Sequence, residues 1–220
     1  MRTTAIAALV AAALALAAAF LLSRPAGHVE KEVAESAFPL GVRVERAIEA
    51  SWSKTSPEWR ARLVQDGTQK ACSHYRNTPP KEVADAILAR ERAAIRYPPD
   101  GNFMGDWRKG EKLVQSGYGG RFTDDPPRTE NGGNCYACHR LDPTRISHGT
   151  LGPSLSGYGR QRNYAASEVR AAFERIYNPQ AFLPCAGMPR LGASGFLSIE
   201  QIKDVVAYLM SPESPVNQDR

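Results

Sequence analysis

Cys135-Tyr136-Ala137-Cys138-His139 is the stretch on which the reading of this chain turns. Two thiols three positions apart can reach the two vinyl groups of one porphyrin. The adjacent imidazole can then face the iron from one side, so C-x-x-C-H reads as covalent attachment of one haem c. Cys135 and Cys138 are the expected thioether donors and His139 the first axial ligand. A thiol redox pair or half a zinc site are the rival readings. The first wants a strand–helix–strand context that is missing, and the second wants a nearby second ligand pair. Cys72 and Cys185 stand far apart in sequence.

A second axial ligand must come from His or Met. Beyond the N-terminal run the candidates are His28, His74, His148, Met104, Met188 and Met210. Met210 follows Tyr208-Leu209 at the end of a patterned helix and reads as core filler; His74 reads as a solvated loop residue. Met188 lies in a loop between Gly187 and Pro189, just ahead of the last helix, where a thioether can close over the far face of a haem. Plain core packing is the competing role for it. Gly152-Pro153 lies fourteen residues beyond His139, and a carbonyl there can accept the other imidazole N–H and fix the ring. An ordinary turn is the alternative for Pro153.

Outward from this centre the chain reads as all-α. Asp106 is a good N-cap for a helix with Trp107, Gly110, Leu113 and Val114 on one face. Residues 167–176 carry Val169, Phe173 and Ile176 on one stripe, and Ser198 with Gln201 forms a capping box for a helix over 199–210. Residues 117–133 and 140–165 read as loop. Loops of that length are unusual in a compact domain, and a large flat apolar group inside would give the helices something to cover. Further upstream, Pro57 behind Ser56 suits a first turn, residues 38–66 read as short amphipathic helices, and a longer helix runs from Lys81 to Arg96. Tyr97-Pro98-Pro99-Asp100-Gly101 ends it, and the main boundary is placed there.

The N-terminus has Arg2, an unbroken apolar run from Ala5 to Leu22, and small residues at Ala17-Ala18-Ala19. This reads as a secretory signal within residues 1–27, with a retained anchor as the rival. The expected layout is signal 1–27, helical extension 28–102 and haem domain 103–220, located in the periplasm with no membrane attachment once the signal is cleaved. Export permits disulfides, so the leftover pair Cys72 and Cys185 is expected to be bridged, two free thiols being the alternative. A formal charge of +5 spread along 220 residues gives no support to a nucleic-acid partner.

Three blocks together resemble class I cytochromes c: residues 105–110, the C-x-x-C-H with Gly152-Pro153, and Met188 before a helix containing Tyr208-Leu209. The resemblance implies a close crossing of the first and last helices at Gly110 against Tyr208. Residues 133–139, 149–155, 176–182, 188–190 and 197–216 look like the SoxX subunit of thiosulfate-oxidising SoxAX cytochromes. That likeness implies haem attachment by Cys135 and Cys138 and axial ligation by His139 and Met188. It also implies pairing with a SoxA-type cytochrome subunit, which would carry the L-cysteine S-thiosulfotransferase active site. Transient contacts with a SoxYZ carrier and an acceptor cytochrome would follow. A free-standing electron shuttle is the alternative function.

Overall fold

In the computed structural model, residues 40–121, 123–124 and 130–218 are described, and the expected signal segment lies outside them. Among these residues every regular element is helical, which matches the all-α expectation. None of their helices is long and apolar enough to cross a membrane. The chain divides into two compact units, Met1–Val64 and Gln65–Arg220.

The first unit holds α1 (Leu40–Ser51) and α2 (Pro57–Ala61). The Ser56 hydroxyl accepts the Trp59 N–H and Pro57 occupies the first turn, as the Ser-Pro pair predicts. No residue of α1 is buried.

The second unit begins with α3 (Gly67–His74) and α4 (Lys81–Ala93). The sequence reading missed α3, which has little apolar periodicity. Its start is nonetheless fixed by a capping box between Asp66 and Gln69. Then come α5 (Trp107–Gln115), α6 (Ala166–Tyr177) and α7 (Ile199–Met210). Asp106 caps α5 by accepting the Arg108 N–H at 2.8 Å, and Ser198 with Gln201 forms the expected capping box on α7. Helix α4 stops at Ala93, three residues short of expectation.

The core lies where α5, α6 and α7 meet. Phe173, Tyr208, Ile202, Val206 and Val114 are shut off from solvent. Phe103 packs its ring on Phe173, centroids 5.2 Å apart, so the segment leading into α5 is fastened beneath α6. At the other end Asn217, 4% exposed, donates to the Leu209 and Ser211 carbonyls and accepts the Gly159 N–H. One amide thereby ties the C-terminal turn to the long loop before α6.

The crossing of α5 over α7 sets the rest. A Cβ on Gly110 would lie 2.0 Å from the Asp204 carbonyl oxygen and 2.9 Å from the Tyr208 Cβ. Only a residue without a side chain lets the two backbones touch there. Gly110→Ala is expected to cost about 3 kcal/mol through forced separation of the helices. That lowers the melting temperature by roughly 6–12 °C in a unit of this size. Thermal unfolding of the haem-loaded protein checks it.

Cys72 of α3 and Cys185 are joined by a disulfide, Cα atoms 5.4 Å apart across a sequence separation of 113. So long a loop restricts the unfolded chain strongly. Replacing both cysteines with serine is expected to lower stability by roughly 2–4 kcal/mol with haem retained, read by the same melting experiment.

Candidate cofactor site

The attachment segment is hung from the end of α5. Leu113 and Ser116 offer carbonyls that helix termini leave unpaired, and these accept the Gly133 and Asn134 N–H groups at 2.8 and 2.9 Å. Asn134 takes a left-handed conformation, φ 48°, which asparagine tolerates, and turns the chain into a short 3₁₀ turn over Cys135–Ala137. The His139 N–H closes back on the Cys135 carbonyl at 2.9 Å. The two thiols and the imidazole therefore share one tight turn.

A second segment is stitched across this turn. The N–H groups of Gly149, Gly152 and Leu155 donate to the carbonyls of Tyr136, Cys138 and Arg140 at 2.7, 2.9 and 2.7 Å. This brings the Pro153 carbonyl to 2.8 Å from His139 Nδ1. A carbonyl only accepts, so Nδ1 carries the proton and Nε2 is the ring nitrogen left free to bind a metal. Gly152 lies against the ring itself, because a Cβ there would come within 2.2 Å of His139 Cε1. The Tyr136 hydroxyl accepts the Asp142 N–H and pairs with the Tyr208 hydroxyl, both at 3.2 Å, which joins the turn to α7. Burial, and then the Tyr136 contact, push the Tyr208 phenol well above its ordinary value.

Cys135, His139 and Met188 all line one cavity, and every other lining side chain is aliphatic, including Leu155, Ile176, Val205 and Leu209. Burial, and then the neighbouring Cys138, push the Cys135 thiol up to about 12. A neutral sulfur suits that setting. Cys138 is partly buried and does not line the cavity; neither cysteine of the turn is in a disulfide. This donor set suits a haem: two free thiols at C-x-x-C spacing, one imidazole with Nε2 turned away from the Pro153 carbonyl, one thioether and aliphatic walls.

Of the other candidates, Met210 is 2% exposed in the core, Met104 packs against that core from its edge, and His74 is exposed. His148 Nδ1 lies 3.1 Å from the Gly149 carbonyl, in the stitching segment. His28 lies outside the described residues.

One group of polar residues beside the Met188 loop had no role in the sequence reading. Glu91, 4% exposed, accepts from the Thr68 hydroxyl, from Asn178 Nδ2 at 2.8 Å and from Arg190 Nη1 at 3.3 Å. Burial raises the Glu91 carboxyl, but those hydrogen bonds and the Arg190 charge outweigh it and hold it below the ordinary carboxylate range. Arg190 Nη2 also pairs with Asp66. A buried-acid signal was available at Glu91, which stands on the apolar side of α4 with Ile87, one turn earlier.

Residues 108–212 match the family model described as cytochrome c. The chain is 39% identical over 207 residues to a protein of Aquifex aeolicus (strain VF5) described as an uncharacterised lipoprotein, covering 94% of this chain and 97% of that one. That coverage takes in residues before the domain as well as the domain. The chain belongs to one family with this relative and carries a cytochrome c domain. Such a domain implies covalently bound haem c and electron transfer.

Gly152→Ala is expected to force the His139 ring from its place. The outcome is a haem that remains covalently attached, an altered absorption spectrum and a stability loss of about 1–3 kcal/mol, read by visible spectroscopy and melting.

Proposed function

We propose that this cytochrome c protein is the electron-accepting subunit of an exported sulfur-oxidising complex of the SoxAX type. Cys135 and Cys138 would hold one haem c covalently, and His139 and Met188 are the residues that would ligate its iron. The observation that carries the site is the convergence of Cys135, His139 and Met188 on one aliphatic cavity, with His139 Nδ1 committed to the Pro153 carbonyl.

Each residue has a definite task. The Pro153 carbonyl accepts from His139 Nδ1 and fixes the orientation of the ring, leaving Nε2 as the nitrogen that would face the iron. The aliphatic walls exclude water from the centre. A thioether at Met188 in place of a second imidazole raises the reduction potential, which favours accepting electrons. The haem supplies a one-electron couple when bound.

Coupling thiosulfate, a dianion at neutral pH, to a carrier thiol forms one S–S bond and releases one proton, from the thiol, and two electrons. The electrons leave singly through this subunit toward an acceptor cytochrome. The bond-making chemistry is assigned to a SoxA-type partner, with a SoxYZ carrier docking transiently. Support for this finer reading is the likeness of residues 133–139, 149–155, 176–182, 188–190 and 197–216 to SoxX subunits. The Cys72–Cys185 bridge fits an oxidising compartment such as the periplasm, and so does an apolar leader over Ala5–Leu22.

Met188→Ala is expected to abolish the weak near-infrared band of thioether-to-iron ligation while haem stays attached; survival of the band would mean another residue is the ligand. Purification of the native protein is expected to bring down a second haem-bearing subunit. A lone, stable monomer would instead identify a free electron shuttle.

A further inference from the structure

We infer that Arg190 is a positioning residue for Met188, clamped by two carboxylates, Glu91 and Asp66, that lie outside the cytochrome c domain proper. The inference rests on the reading of Met188 as an axial ligand.

Met188 sits in a short span whose two ends are both fastened to the segment preceding the domain. On one side Cys185 is bonded to Cys72 of α3. On the other side Arg190 reaches Glu91 of α4 with Nη1, 3.3 Å from each carboxylate oxygen, and Asp66 at the start of α3 with Nη2. Only residues 186–189 lie between these anchors, and within them Pro189 has its φ locked by its ring. A shift of Arg190 is therefore passed almost directly to Met188.

The Glu91 half of the anchor on the Arg190 side is enclosed, while the Asp66 side chain is about half exposed. The Arg190 side chain is 17% exposed and that of Glu91 5%. Glu91 is held in turn by Thr68 and by Asn178, whose Nδ2 also donates to the Glu91 carbonyl at 3.1 Å. A charge pair this enclosed adds little net stability relative to apolar packing, but losing one partner leaves the other charge buried and uncompensated. Beyond Arg190, the loop is closed by its own carbonyl, which accepts the Ser194 N–H at 2.9 Å, and by the Leu197 N–H on the Leu191 carbonyl. No hydrogen bond of the cluster is made by Met188 itself, so its influence on the thioether acts through the backbone.

The test uses the full haem-loaded protein and imidazole as a probe that competes with the thioether for ferric iron. Arg190→Leu and Glu91→Gln are each expected to raise imidazole affinity about tenfold, equivalent to easing loop opening by about 1.4 kcal/mol. They are also expected to weaken the near-infrared band and lower the reduction potential. Arg190→Lys keeps the charge but cannot span both carboxylates, so it falls between wild type and Arg190→Leu. Should Arg190→Leu fail to fold, Glu91→Gln and Arg190→Lys carry the same readouts.

Wild-type imidazole affinity and potential in these variants, with only a lower melting temperature, would overturn the positioning role. Met188→Ala supplies the control. In that background Arg190→Lys is expected to change imidazole affinity no further, and a further change would also overturn the inference. If Met188→Ala itself retained the band and the wild-type affinity, the ligand reading would fall, and the positioning role with it.

Discussion

Where α5 crosses α7, the backbone of Gly110 lies against the Asp204 carbonyl with no room for a side chain between them. That contact fixes the axis of α7, and α7 in turn places Val205 and Leu209 in the cavity wall and Tyr208 under Tyr136. The same approach fixes the end of α5, whose Leu113 carbonyl holds the Gly133 N–H at the entrance to the attachment turn. The thiols and the imidazole thus depend on a helix crossing between Gly110, well before the turn in sequence, and Asp204, well after it. Moving α5 away from α7 would shift the turn at both its supports.

The site separates polar from apolar work. Its interior is aliphatic apart from two sulfurs and an imidazole, while backbone hydrogen bonds are completed behind it by residues 149–155. A long loop without secondary structure ordinarily carries many polar groups that are hard to bury. Here those groups bond to the attachment turn, so the loop gains order and the turn gains rigidity together. His139 benefits most, held by a carbonyl on one edge and by a glycine backbone on its face.

On the Met188 side the restraint is of another kind. A disulfide and a two-carboxylate clamp hold the span from outside the cytochrome c domain, the disulfide reaching α3 and the clamp reaching α4 and the residue that caps α3. The disulfide limits the unfolded chain, whereas the ion pairs act in the folded state, where each enclosed charge depends on its partner. The identity with the Aquifex aeolicus relative runs over 94% of this chain. It therefore includes the segment that supplies these restraints, which a minimal haem domain does not contain.

The sequence by itself determined which residues are the candidates for haem attachment, because C-x-x-C-H is a local pattern whose chemistry needs no distant partner. It also determined α5 and α7, since Asp106, Ser198 and Gln201 cap through contacts within three residues. The bridge between Cys72 and Cys185 was legible from compartment and count alone. Helix α3 was not, because its eight residues bury only Thr68 and Cys72 and give no stripe to read. The partners of Arg190 were equally hidden, 99 and 124 residues away along the chain. Which residues meet across such separations is set by packing of the whole unit, and only the tertiary structure decides it.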